Sequence, residues 1–231
     1  MRILTWNLAW ATRSTRAGEE IVRRILDARP EVAVFTELTT SLVEKLGGHV
    51  VLAAADYGYG IRPDRRKVAI WSVHPLANTD TIGSPELPSG RFVKADVKGL
   101  RIVGVCIPWS DAHVRSGRRD RNRWQDHLTY VGVLRRLARN YRTRTVIAGD
   151  FNQRRPRHGQ PLHVFEELDG ALRHLSWVTS GQIGPASELS IDHVVTSTDI
   201  QAKDLQCISN RAGDLRLSDH FAVHCEVTHA A

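Results

Sequence analysis

Cysteine is scarce in this chain, and its placement is informative. Cys106, Cys207 and Cys225 are odd in number, widely scattered and free of any CxxC spacing. That pattern excludes a disulfide framework and a zinc cluster, gives no reason to expect a disulfide-linked partner, and suits a reducing compartment. Long apolar runs are absent too. None approaches the ~20 residues that a bilayer span needs, so membrane insertion is not expected. A strand-like run already begins at Arg2 and leaves no room for a signal peptide, so the expected location is cytoplasmic. Neither a low-complexity linker nor a repeat is visible, and residues 1–231 are read as one domain.

Acidic residues are the minority charge. Asp and Glu number 25 against 32 Lys and Arg, which leaves a net charge of +7. A basic surface attracts polyanions, nucleic acid first and acidic headgroups second. An arginine-rich composition could produce the same total, so clustering matters more. Arg115, Arg118, Arg119, Arg121 and Arg123 crowd one segment, and Arg154, Arg155 and Arg157 crowd another.

Periodicity predicts a helix over 18–28, ended by Pro30, then a buried strand over 32–35 and a second helix near Ser41. Residues 50–107 read as strands and turns, best at 68–71, 92–97 and 102–107. The longest helix is expected over 121–140, with Trp124, Leu128, Val131, Leu134 and Leu137 on its core face. A short helix near 161–168 follows, and the remainder is β-rich. Strands outnumber helices, and two packed sheets with helices outside satisfy the pattern.

Against this background stand five polar signatures, each placed at the end of an apolar run. They are Thr5-Trp6-Asn7, Thr36-Glu37, Gly149-Asp150-Phe151-Asn152, Ile191-Asp192-His193 and Ser218-Asp219-His220, fed by runs at 2–4, 31–35, 145–148, 189–191 and 215–217. Carboxylates, carboxamides and imidazoles at strand ends are what a site needs to hold a hard cation beside a phosphate. Singly, each is ordinary: an Asp-His pair is more often a surface feature, and Asp150-Phe151-Asn152 could be a turn. Five in order are not.

The ordered set, GDFN and SDH above all, resembles the endonuclease/exonuclease/phosphatase superfamily from Asn7 to His220. The resemblance implies a four-layer α/β/β/α sandwich of two packed, mostly antiparallel mixed sheets, with the site at one end. It implies a divalent cation, Mg²⁺ or else Mn²⁺, on Glu37 with Asn7 and Asp219. Asp150 would orient or deprotonate water, and Asn152 would donate to the phosphate. His220 would face the phosphate as base or positive stabiliser, held in one tautomer by Asp192.

Departures bear on the substrate. Abasic-site endonucleases of this superfamily carry an Asp where this chain has Ala9. Cys106, in Val105-Cys106-Ile107-Pro108-Trp109, stands where a phosphate-contacting Tyr or His is usual, and a thiol is a weak donor. Trp109, His113 or an arginine could take that role, with Arg91, Arg115, Arg118, Arg154 and His193 as further substrate-contact candidates. Inositol phosphatases read GDxNYR and PxWCDR, which this chain does not match. The expected function is therefore a metal-dependent phosphodiesterase, foremost a nuclease on DNA or RNA. The alternatives are a phosphatase or phosphodiesterase on a small phosphorylated metabolite or lipid headgroup, and a non-catalytic nucleic-acid-binding module.

Overall fold

The computed structural model describes residues 1–181 and 183–229. The chain opens with β1 (Arg2–Asn7), crosses through α1 (Arg16–Ala28) to β2 (Val32–Thr39), and continues by α2 (Thr40–Glu44) to β3 (His49–Leu52) and β4 (Arg65–Ser72). After β5 (Ala77–Asp80) and β6 (Phe92–Val97), β7 (Leu100–Cys106) crosses through α3 (Gln125–Ala138) to β8 (Thr145–Asp150). Next, α4 (Leu162–Ala171) leads to β9 (Ser176–Trp177) and β10 (Asp192–Thr196). The chain finishes with β11 (Ile200–Ile208), a small hairpin of β12 (Arg211–Ala212) and β13 (Leu215–Arg216), and β14 (Ala222–His229).

Two six-stranded sheets result, in the orders β11-β14-β1-β2-β4-β3 and β5-β6-β7-β8-β10-β9. The two orders are one plan used twice. In each, the third and fourth strands are a parallel pair joined by a crossover helix, β1/β2 through α1 and β7/β8 through α3. The other neighbours are antiparallel. No repeat is legible in the sequence because the plan requires matching burial patterns, which many side chains satisfy.

Three apolar clusters define four layers. Ile3, Val32, Val34, Val68 and Ile70 of the first sheet meet Val93, Ile102, Val146 and Val194 of the second. Ile21, Val22 and Ile25 of α1 cover the outer face of the first sheet on Leu4, Trp6, Ala33 and Phe35. Tyr130, Val131 and Leu134 of α3, with Leu168 of α4, cover the second sheet on Val103, Val105 and Ile147. The helix α1 starts where the Thr15 hydroxyl caps the Gly18 amide at 3.1 Å.

Three expectations need correction. The long helix begins at Gln125 because Trp124 takes a left-handed φ of 68°. Its core face is His127, Tyr130, Val131, Leu134 and Ala138, rotated from the predicted stripe, and Leu128 and Leu137 lie half-buried beside it. The runs at 189–191 and 215–217 are not the strands that carry their signatures. Asp192 opens β10, and Asp219-His220 precedes β14, so these two signatures stand at strand beginnings.

Gly104 of β7 lies where the sheets approach. A Cβ there would meet methyls of Val93, Val68 and Val34 at 2.8, 3.0 and 3.2 Å. Overpacking of this kind typically costs about 1–3 kcal/mol. Gly104→Val is expected to lower the urea midpoint accordingly with an unchanged m-value; an unchanged midpoint would show that the interface relaxes freely.

Candidate active site

The five signatures converge on one cleft of about 550 Å³ at the end of the two sheets. Asn7 terminates β1, and Asp150 terminates β8. The Asn7 Nδ2 donates to Asp150 Oδ2 at 3.1 Å, a contact that joins the two sheets across the cleft floor. The other Asp150 oxygen accepts from the Asn152 amide at 2.9 Å. Gly149 makes this possible: it adopts φ 135°, and a Cβ would come within 2.0 Å of the Val105 carbonyl oxygen on β7. Asn152 takes φ 54° and commits one Nδ2 hydrogen to the Ile107 carbonyl at 2.9 Å.

Asp192 faces Asp150 directly across the β8/β10 register. Its Oδ2 accepts from His220 Nδ1 at 2.5 Å, which turns His220 Nε2 outward, 4.0 Å from Asp219 Oδ1. The serine of the last signature is a tether. Ser218 Oγ donates to the Asn7 carbonyl at 2.7 Å and accepts the His220 amide at 3.0 Å. The Trp6 indole fixes the His220 carbonyl at 2.9 Å. Glu37 has a left-handed φ of 47°, which interrupts the strand alternation so that Phe35 and Leu38 both reach the outer core. Glu37 Oε1 accepts from Lys67 Nζ at 2.5 Å.

The charges are unevenly compensated. Burial pushes the Asp150 carboxyl up to about 7, and Asp192 and Glu37 repel its charge further against the pull of His220. Burial likewise raises Asp192, whose Oδ1 is buried without a partner among the described residues. Burial disfavours the His220 imidazolium, but the Asp192 and Asp150 charges outweigh it and hold His220 up at about 10. Arg91 is 3% exposed, lines the cleft and donates to the Cys106 carbonyl at 3.3 Å, with no carboxylate partner among the described residues. It immediately precedes β6, as the 220–221 segment precedes β14 in the matching place of the other sheet.

A family model described as the endonuclease/exonuclease/phosphatase family matches residues 4–220. The chain belongs to that family. Its members are typically phosphoester hydrolases that depend on a divalent metal. The fold is similar to an abasic-site endonuclease from Archaeoglobus fulgidus, with 14% identity, 98% of each chain covered and a TM-score of 0.74. It is similar also to a 3′ phosphatase, NExo from Neisseria, bound to a product DNA hairpin (21% identity, 99% of each chain, TM-score 0.69). A third likeness is the endonuclease domain of TRAS1, a telomere-specific non-LTR retrotransposon (18% identity, 100% of this chain and 99% of that one, TM-score 0.65). No curated protein sequence matches the chain.

Within this family cleft, Asn7, Glu37, Asp150, Asn152, Asp219, His220, Arg91 and Trp109 all line the wall, with Asp192 behind His220. Cys106 lines it as well, but burial pushes its thiol up to about 12 and so disfavours the thiolate. Other candidates fall elsewhere. His193 neighbours Asp192 yet points to the opposite face, fully buried between Phe151 and Trp177 and bonded to Thr179 Oγ1 and the Gln153 carbonyl. Adjacent residues on a strand face opposite ways, so the Asp-His dipeptide cannot place both in one cleft. His113 is buried behind Tyr59, stacked on it at 4.4 Å.

Arg154 is exposed outside the cleft, and its neighbour Arg155 is paired to Asp169 over the Trp177 ring. Arg115 is exposed and does not line the cleft, and Arg118 turns to Asp120 and Asp126. Trp10, Tyr57, Tyr59, Arg62, Arg65 and Lys67 line the cleft and were not foreseen. The repetitive Tyr57-Gly58-Tyr59-Gly60 stretch was the available signal.

Two buried histidines predict acid sensitivity. Burial lowers both His127 and His193 from 6.5 to about 4. Between those values the unfolded chain binds more protons than the folded one. The contribution of these two histidines is thus intact above about pH 6.5 and falls toward pH 4, by about 1.4 kcal/mol per pH unit for each fully buried histidine, while the raised Asp150 carboxyl works in the opposite sense below about pH 7. Denaturant titrations between pH 7 and 4.5 should show a shallower loss in His193→Gln than in the parent; parallel profiles would remove His193 from the account.

Proposed function

We propose that this protein is a divalent-cation-dependent phosphodiester hydrolase that acts on nucleic acid. The observation that carries the reading is the two joined pairs Asn7–Asp150 and Asp192–His220 at one cleft, with Glu37 beside them and the Arg91 guanidinium, which has no carboxylate partner among the described residues. The donor set suits a hard cation such as Mg²⁺ or Mn²⁺. It consists of carboxylate and carboxamide oxygens, and the strained Asp150 charge and orphaned Asp192 Oδ1 call for added positive charge. Glu37, Asn7 and Asp219, which line the cleft beside the Asp150, Asp192 and His220 cluster, would hold the ion, with Glu37 released from Lys67. Bound there, a divalent cation would supply charge stabilisation for the oxygen leaving phosphorus.

The remaining roles follow from protonation and orientation. Asp150, fixed from both sides by Asn7 and the Asn152 amide, is placed to orient a water and take its proton for in-line attack. Asp192 holds His220 at Nδ1, and the surrounding carboxylates favour its imidazolium, so the outward Nε2–H donates to the phosphate. Asn152 has one amide hydrogen left for the same phosphate, and Arg91 faces it as a second cation. The net charge of +7 and the arginines at the cleft favour a polyanionic substrate over a neutral lipid.

Hydrolysis should be measured with Mg²⁺ and with chelator on single- and double-stranded DNA, an abasic duplex, RNA, and small phosphoesters. Chelator-sensitive cleavage of a nucleic acid is expected. Asp150→Asn and His220→Ala should each lose about 10²–10⁴-fold in kcat with circular dichroism unchanged. Nucleic-acid binding without turnover, insensitive to both substitutions, would replace the hydrolase by a binding module. Turnover of small phosphoesters alone would replace the nuclease by a phosphatase.

A further inference from the structure

The cleft has an aromatic wall that hydrolysis of a phosphodiester does not require. Trp10 stacks on Tyr57 at 5.7 Å, Tyr57 meets Tyr59 at 6.1 Å, and Tyr59 is backed by His113 at 4.4 Å. Trp109 lines the same cleft, 46% exposed, and stacks on no other ring among the described residues.

Tyr59 is held as a fixed platform, and the backbone that carries Trp109 is anchored. Tyr59 Oη accepts the His113 amide at 3.2 Å, which ties the 53–64 loop to the segment after β7. The Trp109 carbonyl accepts the Ala112 amide at 3.1 Å, and the preceding Pro108 carbonyl accepts from His127 Nδ1 at 2.7 Å. Rigid rings lose little entropy when they receive a ligand.

A flat ring recognises a flat partner through its face. In a duplex the faces of the bases are covered by their neighbours, and only their edges reach the grooves. An aromatic wall beside a phosphate-binding floor therefore suits a base that has left the stack or was never in one. Arg62 and Arg65 line the same cleft and supply cations for flanking phosphates. A single exposed tryptophan is unremarkable on a protein surface. Here it lies in one cleft with a stacked aromatic series and the hydrolytic groups.

Building on the nuclease reading above, we infer that the substrate is an unpaired strand of nucleic acid, its scissile phosphate on the cleft floor and its adjacent base stacked on Trp109 and Tyr59. An intact duplex would have to fray or flip a nucleotide before it could occupy the site.

Three substrates test this: a single-stranded oligonucleotide, the same strand with tetrahydrofuran units in place of its base-bearing sugars, and the oligonucleotide annealed to its complement. The expected result is a kcat/KM for the base-bearing single strand about 5- to 150-fold above that for the baseless strand, with the duplex slower than the single strand. Trp109→Ala and Tyr59→Ala should bring the base-bearing to baseless ratio toward one, and Trp109→Phe should retain it, which separates stacking from misfolding. Preference for the duplex, or a ratio that survives both alanine variants, would overturn the inference and leave the nuclease standing. If the parent protein hydrolysed none of the three yet turned over a nucleotide or an inositol phosphate, both readings would fall.

Discussion

A parallel strand pair flanked by antiparallel neighbours fixes which ends of the chain meet. In each sheet the two parallel strands deliver their carboxyl ends to one edge, and the antiparallel strands beside them deliver their amino ends to the same edge. Asn7 and Asp150 therefore leave their strands where Asp192 and His220 enter theirs. Groups separated by as much as 213 positions, Asn7 to His220, come together without a long loop. The tether from Ser218 to the Asn7 carbonyl and the bond from Asn7 to Asp150 then lock both sheets to this edge.

Burying so many carboxylates together is costly, and the structure offsets the cost only in part. Asp192 has His220, Glu37 has Lys67, and Asp150 has neutral donors alone apart from the nearby imidazolium. A partly compensated buried charge is a poor contribution to stability, and it holds a carboxyl near neutrality and favours a nearby cation. Strain is concentrated in the same place. Left-handed φ values at Ala9, Trp10, Glu37 and Asn152 surround the cleft, each held by neighbouring hydrogen bonds or packing.

Misplaced sequence expectations share one cause. Arginine clusters and the Asp192-His193 dipeptide are close in sequence, and closeness along a strand or loop says little about direction. His193 faces the opposite way from Asp192, Arg155 turns to Asp169, and Arg118 and Arg121 turn to Asp126. His113, expected at the phosphate, instead supports Tyr59 from behind. Conversely, Lys67 sits just before a predicted strand, and nothing local indicated that it would meet Glu37 from the neighbouring strand.

The sequence alone determined the family, the two-sheet layering and the polar groups that meet at the cleft floor, because apolar periodicity and short motifs such as GDFN and SDH are local properties of the chain. Which of the remaining polar and aromatic residues join those groups was decided by tertiary structure. Strand direction selects the face, left-handed turns at Glu37 and Asn152 aim the side chains, and loops from distant segments bring Trp10, Tyr57, Tyr59 and Trp109 into one cleft. Those choices depend on contacts between residues far apart in sequence, and such contacts exist only once both sheets have packed.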